Sequence, residues 1–371
     1  MAKGISSLLL ASQKEKIKAM KKLLFTLSLS LLLRASAALA QTLYVKPDTG
    51  SDAADGSESA PYASLEKAVA IANELTGSGP ITIKLFPGLY SLKDKVAIHP
   101  LRILSDTVRL TLEAVTMPDD PDWAPAKMPV IQSISSNNSS TQFVHSTGLL
   151  VATSHVTICG LKFLGSAHPD VTYYYPISKE DESLGDMEVS QCYFVSEVHS
   201  SQIQGAIWAQ GPKTQIDHCV FYNCRNAILL FRSVEDFSVT NSIIYGANES
   251  AVWMGPVANF TFKNNVIAGG NYVWVRPGDS SPAYKFTDCV MVDNQHYMGY
   301  YGSNGLVETT NNKNFVETNV VKKGKVELVI RKEPAYPINY LHITPGSVGY
   351  ELNAGIFKSP KQPNPVKKKG M

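Results

Sequence analysis

The 371-residue sequence lacks the features that mark several large protein classes. It holds five cysteines, and their spacings match no zinc-binding motif. Its one marked apolar run, Leu23–Leu33, is too short to span a membrane comfortably. A convincing helical pattern occurs only at Ser64–Leu75, where Leu65, Ala68 and Val69 share one face and Ser64 is a plausible N-cap. The sequence therefore disfavours a zinc protein and a helical fold.

The first 40 residues have the pattern of a secretory signal peptide. Met20–Lys22 forms a basic start, Leu23–Leu33 the apolar region and Ala38–Ala40 a small-residue cleavage site. This pattern predicts cleavage after Ala40 and a secreted or periplasmic protein whose mature chain begins at Gln41. Residues 1–19 are interpreted as an over-called start upstream of the true start, Met20. The alternative is a membrane anchor.

Charge is unevenly distributed along the chain. The formal net charge is +2, but residues 1–40 and 358–371 carry much of the basic character. The intervening body, residues 41–357, has 22 basic and 31 acidic residues, a net charge of −9. Nucleic-acid binding requires a basic face, so the sequence excludes nucleic acid as a partner. The Pro- and Lys-rich tail, residues 358–371, is predicted to be disordered.

Six short segments repeat one pattern of apolar, polar and small residues. They begin at Ile158, Val189, Ile216, Val239, Phe262 and Phe286, at steps of 31, 27, 23, 23 and 24 residues. A repeat of this length, built from strands and turns, predicts an all-β solenoid whose rungs stack along one axis. We expect the helix at 64–75 to cover the N-terminal end of the stack.

The repeats predict two ladders of stacked side chains. The third position of the repeat is occupied by Gly160, Gln191, His218, Asn241, Asn264 and Asp288. The fourth is occupied by Leu161, Cys192, Cys219, Ser242, Asn265 and Cys289. Asparagines of this kind hydrogen-bond along the axis at tight turns, and small residues fill inward spaces. The three cysteines at the fourth position are therefore interpreted as packing residues, although a Cys192–Cys219 disulfide is conceivable in an oxidising compartment.

A second strand follows each of the later repeats. The predicted strands are Ala206–Ala209, Ala227–Leu230, Ala251–Met254, Tyr272–Val275 and Tyr297–Tyr300. Side chains alternate along a strand. One register points Ile207, Ile228, Val252, Val273 and Met298 inward and aligns Trp208, Leu229, Trp253 and Trp274 on the outer surface. The inverse register would place three tryptophans in a narrow core, so we favour the first.

The order of these motifs resembles a known family. Leu43–Val45, Pro61–Leu65, Phe86–Tyr90 and Thr344–Ser347, together with the rung repeats, are similar to secreted right-handed parallel β-helix proteins of the pectin lyase-like superfamily. The resemblance covers nearly all of residues 42–357. It implies a right-handed single-stranded parallel β-helix with an N-terminal strand and capping helix at 41–105 and rungs at 106–357. It is much weaker for activity, because the superfamily contains lyases, hydrolases, epimerases and adhesins.

The resemblance allows two chemistries to be compared. Relatives that hydrolyse galacturonan carry paired aspartates on a central rung, whereas the only Asp-Asp here, Asp119–Asp120, precedes the regular rungs. Because hydrolysis needs two carboxyl groups flanking one bond, a polysaccharide lyase is favoured over a glycoside hydrolase. Asp217–His218 is similar to the Asp-His of pectate lyases, but it lies within an ordinary repeat.

A lyase must neutralise a uronate carboxylate and remove the adjacent proton. Arg225 and Arg276 are candidates for binding the carboxylate, Arg225 and His296 for the base, and Glu249 for an acid/base or a metal ligand. The alternative is that each is a solvated turn residue. Ca²⁺ is the cofactor expected of a lyase, although no acidic cluster in the sequence has convincing Ca²⁺ geometry.

Aromatic residues beside the rungs predict a binding strip. Its members are Trp208, Trp253, Trp274, Tyr272, Tyr297 and Tyr301, with Arg232 and Asn271 as hydrogen-bonding neighbours. Exposed aromatic planes pack against the C–H faces of sugars, so the predicted partner is a polysaccharide or a cell-surface glycan, bound by a monomer. Tyr173–Tyr175 would extend the strip. The alternatives are a non-catalytic glycan-binding or structural β-helix, a strip covered by loops, and the inverse register.

Overall fold

The computed structural model describes residues 40–196, 201–253, 255, 259–278, 284–311, 313–330 and 336–356. The predicted signal peptide apart from Ala40, the predicted basic tail and the C-terminal residue of the strand predicted at 251–254 lie outside these ranges. The described chain winds through three long sheets in a repeating order, and each complete coil gives one strand to each sheet. The prediction of a parallel β-helix is confirmed.

The three sheets run along the same axis, and their neighbouring strands pair in parallel except for one terminal hairpin. The first sheet contains Gln41–Val45, Ile81–Leu85, Leu110–Ala114, Val156–Cys159, Met187–Ser190, Thr214–Asp217, Ser238–Thr240, Thr261–Lys263, Lys285–Thr287 and Val316–Thr318. The second contains Gly88–Leu92, Pro129–Ser133, Lys162–Leu164, Tyr193–Val195, Val220–Tyr222, Ile243–Tyr245, Val266–Ala268 and Val290–Val292. The third contains Val96–Ile98, Ser146–Val151, Tyr174–Lys179, Ile207–Ala209, Asn226–Leu230, Ser250–Trp253, Tyr272–Arg276, His296–Gly302 and Gly305–Glu308.

The α-helix Leu65–Glu74 covers the N-terminal end of the coil, as predicted. Its N-cap is Ser64, whose side chain accepts a hydrogen bond from the Lys67 amide. Asp52 in turn accepts from the Ser64 hydroxyl at 2.7 Å and fixes the cap against the preceding turn. The apolar face of the helix is buried against the first strands. Two short 3-10 helices complete the described helices, Pro125–Lys127 and Tyr350–Leu352.

The backbone at the corner between the first and second sheets explains which residue types occupy the third position of the repeat. All six residues at this position have a left-handed backbone, with φ between 48° and 71°. Glycine, asparagine and aspartate tolerate this conformation best. The predicted ladder forms in part at the same corner: Asn264 donates to Asn241 at 2.6 Å, and Asn241 donates to Asp217, the residue before His218, at 2.8 Å. His218 occupies the same corner, with its Nδ1 2.8 Å from the Gly355 carbonyl oxygen.

The interior of the coil is filled by stacked side chains of like kind. The rings of Phe163, Phe194 and Phe221 stack at centroid distances of 5.0 and 4.9 Å. Cys192 and Cys219 are buried in the adjoining row, and all five cysteines are free thiols. Burial raises the pKa of the Cys192 thiol well above its usual range. The cysteines therefore contribute packing to this structure.

The outer face of the second sheet is covered by a C-terminal segment, whose described residues are 326–330 and 336–356. Tyr340, Ile343 and Ile356 are among the residues buried on it. The sequence predicted that residues up to 357 continue and close the rungs. Instead, the last first-sheet strand is Val316–Thr318, and the chain then returns over the outside of the coil. From Tyr193 onward, the outward side chains of the second sheet are mainly apolar, so this return removes a large apolar surface from water.

Candidate functional site

The tryptophan row begins on the outer face of the third sheet. Ile207 pairs with Ile228, and Ile228 pairs with Val252, all three pointing into the core. The residues that follow them, Trp208, Leu229 and Trp253, form a separate cluster on the outside. The predicted register is therefore correct for these three strands.

Trp274 does not continue the row, so its predicted outward position is wrong. It pairs with Val252 on one side and Met298 on the other, both core residues. Its ring is fully buried and stacks on Tyr284 at 4.0 Å. A one-residue change of register exchanges the two faces of a strand, and this change places the indole inside the coil.

The outward aromatic residues enclose a pocket rather than lining a flat strip. We call it the aromatic pocket; its volume is about 510 Å³. It is lined by Phe143, Val144, Tyr173, Tyr175, Gln204, Trp208, Arg225, Leu229, Phe231, Glu249, Trp253 and Tyr301. Phe143 stacks over Trp208 at 6.2 Å, and Phe231 stacks on Trp253 at 6.2 Å. The volume falls within the range of about 300–1,000 Å³ that small-molecule sites occupy.

One wall of the aromatic pocket is polar. Arg225 Nε donates to Glu249 Oε2, and the Tyr301 hydroxyl donates to Glu249 Oε1. Arg225 Nη1 also donates to Gln204 Oε1 at 3.3 Å. The Glu249 carboxylate is buried, whereas 42% of the Arg225 side chain is exposed. The pocket therefore combines apolar rings with several hydrogen-bonding groups that lie close together.

The polar cluster holds its protons firmly. Partial burial opposes the charge of Arg225, but the Glu249 carboxylate outweighs it and raises the pKa of the guanidinium. Burial, together with the hydrogen bond to Glu249, raises the pKa of the Tyr301 hydroxyl. Both groups consequently remain protonated near neutral pH. They serve as hydrogen-bond donors, and neither is a ready base.

Stacking of successive rungs brings the polar wall together. Gln204, Arg225 and Glu249 each lie shortly before a third-sheet strand, on successive coils. The Glu249 amide donates to the Arg225 carbonyl oxygen at 2.9 Å, which holds the two turns in register. The buried Ser250 hydroxyl donates to Asn226 Oδ1 at 2.6 Å and fixes the same edge. Tyr301 reaches the cluster from the terminal hairpin and lies 3.4 Å from Trp253 Nε1.

Arg276 and His296, two predicted catalytic residues, do not line the aromatic pocket. Arg276 is fully buried, donates to the Asn311 carbonyl oxygen at 2.9 Å and lies over the Phe315 ring. It follows Trp274 by two residues, so the same change of register turns it inward. His296 stacks on Tyr272 at 4.6 Å, and its Nδ1 lies 3.2 Å from a Glu308 carboxylate oxygen.

The other predicted binding residues also lie away from the pocket. Tyr272 is 5% exposed beneath His296, and the Tyr297 hydroxyl donates to Glu317. Asn271 forms a turn, where its amide donates to the Ala247 carbonyl oxygen. Arg232 lines a neighbouring cavity of about 190 Å³ that shares Trp208 with the aromatic pocket. Arg225, Glu249, Trp208, Trp253 and Tyr301 of the predicted site residues come together in the aromatic pocket, with Tyr173 and Tyr175 of the predicted extension.

The prediction of the strip omitted two rings of the pocket, Phe231 and Phe143. Phe231 follows Leu229 by two residues, so strand alternation alone could have placed it on the same face. Tyr175 faces the pocket from the predicted extension of the strip, whereas Tyr174 enters the core. Phe143 comes from a loop before the third-sheet strand Ser146–Val151. No periodic signal in the sequence points to it.

The aromatic pocket does not fit a calcium ion. Ca²⁺ takes about six to eight oxygen ligands. The described lining supplies one carboxylate, Glu249, and both of its oxygens already accept hydrogen bonds. A separate cluster of Asp106, His155 and Asp186 lies beside the first sheet, where Arg109 Nη1 is 2.6 Å from Asp186 Oδ2. Of its two aspartates, Asp186 is therefore already paired with a cation.

The chain belongs to the right-handed β-helix family. The family model described as the right handed beta helix region matches residues 132–321, just over half of the chain. The matched range includes all six repeats and most of the residues that line the aromatic pocket. The right-handed β-helix that the sequence motifs predict is confirmed. None of the curated proteins matches this chain.

Solved structures resemble this chain in fold. Pectin methylesterase PemA from Erwinia chrysanthemi shares 12% identity with a TM-score of 0.42, over 78% of this chain and 91% of that one. Pectate lyase Pel9A shares 16% with a TM-score of 0.38, over 78% of each chain. The GH136 lacto-N-biosidase from Eubacterium ramulus shares 10% with a TM-score of 0.40, over 76% of this chain and 68% of that one. These likenesses leave the activity open.

The described residues contain no helix that combines the length and apolar character needed to cross a bilayer. The only α-helix in that part of the chain is the capping helix, Leu65–Glu74, which packs against the first strands.

Proposed function

We propose that this protein is a secreted, monomeric, carbohydrate-active β-helix protein that binds a polysaccharide or cell-surface glycan in the aromatic pocket. The observation that carries the proposal is an open pocket whose apolar rings face a cluster of hydrogen-bonding side chains, the buried Glu249 and the partly exposed Arg225 and Tyr301. Sugars present both surfaces, since their C–H faces pack on rings and their hydroxyl groups need polar partners. A pocket of about 510 Å³ favours one end or a short stretch of the glycan.

A polysaccharide lyase is the second candidate. The observation in its favour is that Arg225, a carboxylate-binding group, lies beside the Tyr301 hydroxyl, since both bind Glu249. Arg225 and Tyr301 nevertheless retain their protons, and the pocket does not suit Ca²⁺. Binding without catalysis is therefore the better supported function, and Ca²⁺-dependent elimination is the property that would distinguish a lyase.

The test is affinity electrophoresis of the mature protein in gels that contain single polysaccharides. We expect retarded migration in at least one gel and no ultraviolet-absorbing unsaturated product on polyuronates, with or without Ca²⁺. Trp253→Ala should weaken the retarding interaction by about tenfold or more, as the loss of a central aromatic contact does. Tyr350→Ala, which removes an exposed ring outside the pocket, is the matched control.

Two results would contradict this assignment. Retardation that is equal in the wild type and in Trp253→Ala would place binding elsewhere on the surface. Formation of unsaturated product by the wild type, and its loss in Arg225→Ala, would establish the lyase instead.

A further inference from the structure

The charges of the aromatic pocket cancel within it. Among the described residues that line it, Arg225 is the only cation and Glu249 is the only carboxylate, and the two are bonded directly. The pocket therefore presents a net charge of zero to a ligand. It lies in a chain body that carries 22 basic and 31 acidic residues.

A uronate would bind poorly in this pocket. Its carboxylate would have to approach the exposed part of Arg225, which places it beside the Glu249 carboxylate. Two like charges at this separation repel, and partial burial strengthens the repulsion because water screens it less. Glu249 already neutralises the one guanidinium that would compensate the incoming charge.

The same groups suit sugar hydroxyls. A hydroxyl donates one hydrogen bond and accepts others. The wall offers the remaining Arg225 N–H groups as donors, and the Gln204 oxygen and the Tyr301 hydroxyl as acceptors, within one cluster. The stacked rings of Phe231 and Trp253 provide the apolar surface opposite a sugar C–H face.

We infer that the aromatic pocket selects uncharged sugar units, so that neutral polysaccharides are ligands and polyuronates are not. This inference rests on the proposed glycan-binding function and names the class of glycan. The paired charges of Arg225 and Glu249 distinguish this pocket from a site that holds a uronate carboxylate with an unpaired cation.

The experiment compares neutral and acidic polysaccharides by affinity electrophoresis at low and high salt. The neutral gels contain galactan, glucomannan or mixed-linkage β-glucan, and the acidic gels contain polygalacturonate or alginate. We expect retardation in at least one neutral gel, unchanged by salt because no net charge is involved. We expect no retardation in the acidic gels.

Glu249→Gln tests the charge argument directly. The amide keeps the size of the side chain and an oxygen for Tyr301, but it leaves Arg225 uncompensated. We expect this variant to shift the ratio of polyuronate to neutral-glycan affinity by about tenfold or more toward the polyuronate, most strongly at low salt. Glu58→Gln makes the same change in net charge at an exposed site in the N-terminal turn region and should leave the ratio unchanged.

The outcomes separate this inference from the proposed function. Retardation of the wild type by polyuronates alone would overturn the inference and leave glycan binding intact. An affinity ratio that is equal in Glu249→Gln and Glu58→Gln would also overturn it. No retardation in any gel would overturn the proposed function together with the inference.

Discussion

The second and third sheets both carry apolar side chains on their outer faces, but the chain covers only the face of the second sheet. The outer face of the second sheet is buried under residues 326–330 and 336–356 of the C-terminal segment and forms a second core. The outer face of the third sheet is left partly open as the aromatic pocket. An apolar row on a solenoid therefore indicates a binding site only where the chain does not cover it. The sequence shows the rows, and the path of the C-terminal segment decides their roles.

The largest expected effect lies on the covered face. Tyr340→Ala removes a buried ring that lies 4.8 Å from the Tyr336 ring and 5.6 Å from the Tyr193 ring. We expect a loss of about 3 to 5 kcal/mol in the free energy of unfolding, as for other buried aromatic truncations. Urea denaturation measures it. Glycan affinity of the folded variant should not change, and a parallel loss of affinity would show that the two faces are coupled.

An intermediate effect is expected on the open face. Phe143→Ala removes a ring that is 39% exposed and stacks over Trp208. We expect glycan affinity to fall by about 1 kcal/mol, or roughly fivefold, with little change in unfolding free energy. Titration calorimetry with the ligand found by electrophoresis measures the affinity. Val144→Ala, on the same loop and also lining the pocket, is the milder comparison.

Particular residues show how far the sequence could predict this arrangement. The left-handed corner at the third repeat position follows from the residue types alone, and Trp208 and Trp253 follow from alternation. Trp274 could also have been placed by counting from the corner. It lies ten residues after Asn264, as Ile228 lies ten after His218 and Met298 ten after Asp288. Val252 lies eleven after Asn241, whereas aligning Trp274 with Trp253 places Val273 inward only nine residues after Asn264.

The path of the C-terminal segment and the position of Phe143 could not be predicted in the same way. Both depend on contacts between distant parts of the chain, such as the Tyr193 hydroxyl donating to the Tyr340 carbonyl oxygen at 2.8 Å. No repeat or alternation encodes such a contact. The pairing of Arg225 with Glu249 could be predicted only in part. The sequence marks both as candidate site residues in turns, but their direct bond requires the rungs to be in register.

A smaller effect should appear on acidification of the open face. Burial, opposed by the bond to the Phe143 carbonyl oxygen, lowers the pKa of His145, whose ring lies 5.6 Å from Trp208 and 5.2 Å from Tyr175. A lowered folded-state pKa contributes stability above the unfolded value, about 6.5, and that stability is lost as the pH falls through the folded value. Tryptophan fluorescence and glycan affinity should therefore change together below about pH 6.5. His145→Asn should remove this component, and an unaltered pH profile in that variant would assign it to another group.

The smallest change in stability is expected at His218, which contacts the C-terminal segment. The histidine holds a left-handed corner with φ 48°, and its Nδ1 lies 2.8 Å from the Gly355 carbonyl oxygen. Asparagine tolerates this backbone and can donate a similar hydrogen bond, so His218→Asn should change the unfolding free energy by less than about 1 kcal/mol. Glycan affinity should stay at the wild-type value because the residue lies at the corner of the first and second sheets. His218→Val, whose β-branched side chain resists the left-handed region, should cost about 1 to 3 kcal/mol. If His218→Asn instead abolished binding or any activity on glycans, the Asp217–His218 pair would be a functional site on the face that the C-terminal segment covers.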